Sequence, residues 1–234
     1  MAARQSKLAH QVYEDLLSRI LTLELKPRQA LSEVQVAEET GVSRSPVREA
    51  FLRLASEGFL DIVPQRGTMV APLRTSDLQR AQFMREALEI ALVRRAVAAG
   101  ETANLIGPLE RELALQELYA KLGDDKAFHD SDDAFHRLIA VHAGLPDVWD
   151  EIARIKRHWD RYRLLVIRQT QEPAHVIAQH KKVTEAIAAG DEAAAVERMT
   201  EHLRRIYHLL KAAEDKYPEF MEGGSVFADN DPVG

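Results

Sequence analysis

The sequence feature that constrains the fold most is a change of hydrophobic period about a quarter of the way along the chain. Before it, apolar residues recur every three or four positions, which predicts three helices at residues 8–22, 32–39 and 45–57. After it, two short β-prone runs, FLDIV (59–63) and TMVAPL (68–73), flank the turn sequence PQRG and predict a β-hairpin. Three helices followed by a tight hairpin are typical of a winged helix-turn-helix.

The ends of the second and third predicted helices carry recognisable capping residues. Ser32 is the expected N-cap of the second helix, and Gly41 the residue that stops it. Ser45 is the expected N-cap of the third helix, with Pro46 in its first turn. The predicted buried stripe of the third helix consists of Val47, Phe51 and Leu54.

The rest of the chain has helical periodicity throughout. The predicted helices are residues 76–99, 102–121, 125–142, 147–170, 174–189 and 191–216. Short links between them predict antiparallel neighbours in a bundle. The expected fold is therefore mainly α, with a winged helix-turn-helix domain at residues 1–74, an all-helical domain at 75–217 and a loosely held tail at 218–234.

Composition narrows the class of protein further. The chain has no cysteine, which excludes disulfides and thiolate metal sites and favours a reducing cytoplasm. No apolar run approaches the roughly 20 residues of a membrane helix, and the charged N-terminus lacks the apolar core of a signal peptide. The net charge of −6 is the sum of +1 for residues 1–74 and −7 for residues 75–234. Charge therefore permits the N-terminal domain to bind DNA but does not predict it.

The stretch VSRSPVREAFLRLASEG (42–58) resembles the DNA-binding domain of the GntR family of regulators. The resemblance extends back through LELKPRQALSE (23–33) and forward through PQRGTMV (64–70), and the helical remainder resembles the FCD domain of the FadR-type subfamily. It implies a ligand-responsive transcription regulator, typically a repressor, that binds near-palindromic operator DNA as a homodimer. One departure is Arg28, which follows Pro27 where the family usually has glycine, so we expect a differently shaped loop there.

The third predicted helix carries the candidate base-reading residues. Arg44 and Arg48 lie four residues apart and therefore share a face at its N-terminal end. That end of a recognition helix meets the major groove, where arginine pairs with guanine. Ser43 and Ser45 are positioned to donate to phosphates. The resemblance points to the same two arginines.

Two further groups of residues are candidates for DNA contact. The resemblance points to Arg66 and Gly67 in the wing, where a glycine lets the backbone approach the minor groove. Arg4 and Lys7 of the N-terminal arm are candidate phosphate contacts. For these last two, an ordinary solvated surface position explains the sequence equally well.

The helical domain places polar groups where buried residues are expected. Asp132 and His136 lie four apart beside the buried face of one predicted helix, and His180 and His202 interrupt the apolar stripes of two others. Because burying such groups without partners is costly, a divalent metal ion is the expected partner. The FCD resemblance implies this same set, Asp-x-x-x-His followed by one histidine on each of two later helices. Zinc is favoured, with nickel, manganese or iron(II) as alternatives.

Other interpretations of these polar residues stay open. The histidines could be hydrogen-bonded parts of the core, and His129 or Asp133 could replace a ligand if the helical register is shifted. The remaining candidates for ordinary surface histidines are His10, His158, His175 and His208.

Arg85 lies on the apolar stripe of the first bundle helix and requires a carboxylate partner. The partner is either internal, Glu89 or Asp132, or the carboxylate of a bound effector, since effectors of the family are often small organic acids. The rival function is a metal-dependent hydrolase, against which no free carboxylate stands out as a general base. A second rival is a regulator with a purely structural metal or with none.

Overall fold

A computed structural model describes the backbone of residues 2–170, 173–206 and 217–223, and the side chains of residues 5–163, 173–206 and 217–223. The described residues form two compact units. One contains residues up to 79 together with 158–166 and 217–223, and the other contains the remainder. The mainly α fold class predicted from the sequence is confirmed, with nine described α-helices and five short strands.

The first unit contains a winged helix-turn-helix. Its elements are α1 (Ala2–Leu21), β1 (Ala30–Leu31), α2 (Glu33–Thr40), α3 (Arg44–Ser56), β2 (Leu60–Val63) and β3 (Gly67–Val70). The three strands form an antiparallel sheet in the order β1-β3-β2, so the wing hairpin carries an additional short strand that periodicity did not predict. The predicted stripe of α3 is buried, with Val47, Phe51 and Leu54 packed against Leu16 and Ile20 of α1 in one core.

The observed capping residues match the prediction at α2 but not at the start of α3. The Ser32 hydroxyl accepts from the Gln35 backbone N–H, and Gly41 closes α2 in a left-handed conformation. The prediction of Ser45 as N-cap of α3 is wrong, because Ser43 has the extended cap conformation (φ −71°, ψ 164°) and Arg44 is already helical. Ser45 therefore lies inside the first turn, one residue before Pro46.

The loop before β1 keeps a left-handed turn although it lacks glycine. Arg28 has φ 67°, and its backbone N–H donates to the Val70 carbonyl at 2.8 Å. The expectation of a differently shaped loop is therefore wrong. The backbone hydrogen bond to β3 holds the conformation that arginine adopts at some cost.

A second, two-stranded sheet completes the first unit. Strand β4 (Leu73–Arg74) pairs in parallel with β5 (Met221–Glu222), which follows a 3₁₀ turn at Pro218–Phe220. Met221 is buried. The described part of the predicted tail is therefore packed, contrary to the expectation of a loosely held segment. Residues 224–234 lie outside the described residues.

The second unit is a bundle of helices. They are α4 (Thr75–Ala98), α5 (Ala103–Leu122), α6 (Asp125–His142), α7 (Pro146–Thr170), α8 (Pro173–Ala188) and α9 (Glu192–Arg204). These bounds match the predicted helices closely, except that the predicted extension of the last helix through 207–216 lies outside the described residues. Side-chain carboxylates of Asp124 and Asp191 cap α6 and α9. No described helix is long and apolar enough to cross a bilayer.

Helix α7 contributes to both units, because its residues 158–166 group with the winged helix-turn-helix. His158 stacks on Phe59 with ring centroids 4.4 Å apart, and its Nε2 lies 2.9 Å from the Glu57 carbonyl oxygen. The interpretation of His158 as a surface residue is therefore wrong. A period-based argument could not detect these contacts, since Phe59 is remote in the chain.

Candidate metal centre and nucleic-acid interface

Four predicted ligands from three helices of the bundle meet at one point. Asp132 and His136 come from α6, His180 from α8 and His202 from α9. One donor atom of each lies within 4.8 Å of the donor atoms of the other three. Asp132, His136 and His180 are buried and His202 is half-buried. The i,i+4 spacing in α6 places its two side chains on the same face, as expected.

The Nε2 atoms of the three imidazoles face one another. The Nε2 of His202 lies 3.2 Å from the Nε2 of His180 and 3.2 Å from that of His136. The Oδ1 of Asp132 lies 3.6 Å from the Nε2 of His180. Two nitrogens each about 2.0–2.1 Å from a zinc ion are separated by roughly 3.0–3.4 Å, so the observed spacing suits one shared metal ion.

Each of the other ring nitrogens lies close to a side-chain oxygen, which favours a proton on that nitrogen. The Nδ1 of His180 is 2.9 Å from Oε1 of the buried Gln116, and the Gln116 amide donates to the Ser131 carbonyl, which orients it. The Nδ1 of His136 lies 2.5 Å from the Glu89 carboxylate. The Nδ1 of His202 is 3.3 Å from Oε1 of Gln179. With a proton on each Nδ1, all three Nε2 lone pairs point toward the centre.

Electrostatics favour the neutral form of the central histidine. Burial lowers the pKa of His180 to about 3, although the Asp132 carboxylate acts in the opposite direction. The imidazole is then uncharged at physiological pH, which is the form that binds metal. Converging lone pairs without protons between them repel one another, and a divalent cation would satisfy all of them together.

Arg85 and Glu89 form a buried ion pair beside this centre. The Arg85 Nε donates to Glu89 Oε1 at 2.6 Å, with only 11% and 3% of the two side chains exposed. Burial raises the pKa of the Glu89 carboxyl, but Arg85 and His136 outweigh it and lower the pKa to about 2. Of the partners considered for Arg85, the structure shows the internal partner Glu89. Contact between Arg85 and an effector stays a prediction.

The two residues considered as alternative metal ligands, Asp133 and His129, lie outside the cluster of four. Asp133 is 3.0 Å from Nζ of the buried Lys156. Sequence reasoning missed Gln116 and Gln179 as partners of the ring nitrogens. Gln116 had a detectable signal, because it is a polar residue in line with the buried Leu109 and Leu113 of α5.

The N-terminal face of α3 is open to solvent. Ser43, Arg44, Ser45 and Arg48 are all exposed, whereas the opposite face of α3 forms part of the core. Arg44 lies 3.7 Å from the Glu33 carboxylate at the start of α2. The Ser45 hydroxyl accepts from the side chain of Gln5 in α1 at 2.6 Å, a contact that sequence reasoning missed. Among the described residues, the face required for entry into a groove is therefore exposed to solvent.

The wing and the N-terminal arm are exposed as well. Arg66 and Gly67 lie at the tip of the hairpin, where Gly67 has φ 93° and Gln65 has φ 63°. This left-handed geometry is the reason that glycine suits the turn. Lys7 is an exposed residue of α1. The side chain of Arg4 lies outside the described residues.

Comparison with known proteins identifies both units. Residues 8–70 match the bacterial regulatory proteins of the gntR family, and residues 81–205 match the FCD domain. An HTH-type transcriptional regulator in an unstable DNA locus of Streptomyces ambofaciens is 35% identical over 210 residues, covering 90% of this chain and 88% of that protein. The HTH-type transcriptional repressor RspR of Escherichia coli is 34% identical over 196 residues, which cover 84% of this chain and 86% of RspR.

Solved structures agree with this assignment at the level of the fold. Escherichia coli McbR/YncC superposes with a TM-score of 0.69 at 23% identity, covering 88% of this chain and 97% of that chain. A GntR transcriptional regulator from Rhodococcus sp. RHA1 superposes with a TM-score of 0.65, also at 23% identity, covering 87% and 98%. The hydrolase alternative has no support among these relatives. The chain therefore belongs to the GntR family, carries an FCD domain, and is a transcriptional regulator rather than an enzyme.

Proposed function

We propose that this regulator is a FadR-type repressor whose helical domain binds a divalent metal ion together with a small organic acid. The observation that carries the proposal is the convergence of three imidazole Nε2 atoms and one carboxylate, each Nε2 facing a neighbour at 3.2 Å. Histidines that only form hydrogen bonds in a core have no need to direct three Nε2 lone pairs at one point. Binding of one shared cation requires that arrangement.

Asp132, His136, His180 and His202 would hold the metal ion. One oxygen and three nitrogens suit zinc best among common ions, with nickel, manganese or iron(II) as alternatives. The bound ion would supply a Lewis-acidic position for an oxygen of the effector. Gln116, Glu89 and Gln179 would keep the ring protons on Nδ1, which keeps each Nε2 available to the ion.

Charge balance at the centre favours an effector with a single negative charge. Arg85 and Glu89 neutralise one another, as do Lys156 and Asp133. Asp132 together with a divalent ion then leaves one positive charge in a mostly buried site. A monocarboxylate neutralises it, whereas a dicarboxylate would leave a buried negative charge without a partner.

The proposed response to the effector is a shift between two states of a homodimer in the cytoplasm. Residues 1–74 would form the DNA-binding domain, residues 75–217 the domain for effector binding and dimerisation, and residues 218–234 the C-terminal tail. In each protomer α3 would read the major groove through Arg44 and Arg48, on a near-palindromic operator. We propose repression because the relative RspR is named a transcriptional repressor. A coupling of about 1–3 kcal/mol between effector and DNA is typical of such proteins.

Elemental analysis of the purified protein and of the His180→Ala variant tests the metal centre. We expect about one equivalent of metal per chain in the wild type and a large loss in the variant. Stoichiometric metal in the variant would remove His180 from the site. Absence of metal from the wild type, including after incubation with zinc, would overturn the proposed centre.

A thermal-shift screen of monocarboxylic and dicarboxylic acids, with and without chelator, tests the effector. We expect monocarboxylates to raise the melting temperature and chelator to abolish the effect. A metal that is bound without any acid response would favour a purely structural ion. Stabilisation by acids that survives chelation would place the effector away from the metal.

A further inference from the structure

We infer that the segment Tyr217–Gly223, here called the C-terminal brace, holds the base of the wing and positions the wing for DNA. The segment lies beyond both family matches, which end at residue 70 for the DNA-binding domain and at residue 205 for the FCD domain. The family relationship therefore assigns it no role. The inference goes beyond the proposed function, because it concerns how the DNA-binding unit is held together.

Strand pairing attaches the brace where the chain leaves the wing. Met221 pairs with Leu73 and Glu222 with Arg74, only a few residues after the end of β3. Met221 is 8% exposed, and the Thr75 hydroxyl donates to the Glu222 carbonyl at 3.3 Å. A two-stranded ladder alone is marginal, so other contacts must stabilise it.

Arg74 connects the brace to the outer strand of the wing. Its Nη2 donates to Asp61 Oδ2 in β2 at 2.6 Å, and its Nε donates to Glu222 Oε1 at 2.9 Å. The side chains of Arg74 and Asp61 are only about a quarter exposed, at 25% and 26%. One guanidinium therefore bridges a carboxylate of the wing and a carboxylate of the brace.

Arg28 connects the brace to the central strand of the wing. Its side chain donates to two carbonyls of the brace, with Nε 3.1 Å from Glu219 O and Nη2 3.3 Å from Met221 O. Its backbone N–H donates to the Val70 carbonyl in β3 at 2.8 Å. Because φ is 67°, glycine would adopt this conformation with less strain. The guanidinium gives a physical reason for arginine at a position that otherwise favours glycine.

These contacts reach both strands of the wing hairpin, whose tip carries the exposed Arg66 and Gly67. Without the brace, Arg74 would lose its bond to Glu222, and the Arg28 side chain would lose both of its carbonyl acceptors. The two arginines that contact Asp61 and Val70 would then be held less firmly. The apparent affinity for DNA falls in proportion to the fraction of molecules with a competent wing, so a fall to one tenth would weaken binding about tenfold.

Three variants of the full protein test the inference. A chain that ends at residue 216 lacks the brace, a chain that ends at residue 223 is the matched control, and Arg28→Gly keeps the turn without the guanidinium. Amide hydrogen exchange in peptides covering residues 59–74 reports on the wing without DNA. DNA affinity is measured with a duplex that the full-length protein selects from a random-sequence library.

We expect faster exchange in the wing and a loss of DNA affinity on the order of tenfold for the chain ending at 216. The Arg28→Gly variant should show the same changes to a smaller degree, and the chain ending at 223 should match the full-length protein. Arg28→Gly introduced into the chain ending at 216 should add little, because its partners are already gone.

Unchanged exchange in the wing for both the shortened chain and Arg28→Gly would overturn the inference. So would equal effects of the two truncations, because they would assign the effect to residues after the brace. If the chain ending at 216 is insoluble, Arg28→Gly in the full-length protein decides the question by itself. Slower exchange in that variant would show that Arg28 only strains the turn.

Discussion

Replacing Gln116 with leucine should weaken metal binding although Gln116 is not a proposed ligand. The amide Oε1 accepts from His180 Nδ1 at 2.9 Å, and both side chains are completely buried. In Gln116→Leu the Nδ1 proton has no acceptor and water cannot reach it. The imidazole either keeps a buried unsatisfied donor, at about 1–3 kcal/mol, or moves its proton to Nε2 and loses the lone pair that faces the metal.

Loss of a hydrogen bond that orients a ligand typically weakens metal binding by roughly 10–100-fold, or about 1.4–2.7 kcal/mol. Gln179→Leu is the matched control, since Gln179 performs the same task for His202 at 3.3 Å in a half-buried position. Water can replace that acceptor, so we expect a loss of less than about 3-fold.

Competition with a chromogenic zinc chelator measures both dissociation constants under one set of conditions. Far-ultraviolet circular dichroism of the metal-free proteins controls for misfolding. Wild-type affinity in Gln116→Leu would refute the argument that Gln116 orients His180. Equal losses in the two variants would show that burial of the acceptor does not decide the effect.

Three further predictions concern other parts of the molecule. Arg48→Ala should weaken binding of the selected duplex by about 1–3 kcal/mol in fluorescence anisotropy without changing binding to random DNA, and normal affinity would place the recognition surface elsewhere. Removing a metal that is present at about a thousand times its dissociation constant should lower the free energy of unfolding by roughly 4 kcal/mol and the melting temperature by about 8–16 °C. The same treatment should not change the melting temperature of His180→Ala. In urea unfolding of the metal-free protein, Arg85→Met should lower the free energy of unfolding by about 3–5 kcal/mol, because it leaves Glu89 buried without its cation. The double variant Arg85→Met/Glu89→Leu should lower it by less. If the effects of the two substitutions simply added, Arg85 and Glu89 would not depend on one another.

Periodicity and end signals predicted most of the fold because they are local. The stripe Val47, Phe51 and Leu54 in α3 is buried as the 3.6-residue period requires. Elements that depend on a distant partner were not predicted. Strand β1 exists only through pairing with β3, and β5 only through pairing with β4, and no pattern within two residues can indicate either strand.

The four proposed metal ligands were predictable because each is a polar residue on an otherwise apolar helical face. The cost of burying such a group makes it conspicuous in the sequence. The hydrogen bonds around them were less predictable. Glu89 was one of two internal partners considered for Arg85. Its contact with His136 joins two residues that are 47 positions apart in the chain. The spacing to His136 favoured Asp132 over Asp133, and in the structure Asp133 instead contacts Lys156.

The amino-acid sequence by itself determined which segments are helical, which faces are apolar and which polar side chains must find partners in the interior, because these follow from spacing within one turn or one strand. Only the tertiary structure decided which atoms meet. It brings the three Nε2 atoms together, places an oxygen beside each Nδ1 and returns residues 217–223 to the wing. Such choices depend on how elements distant in sequence pack, and a spacing rule contains no information about that packing.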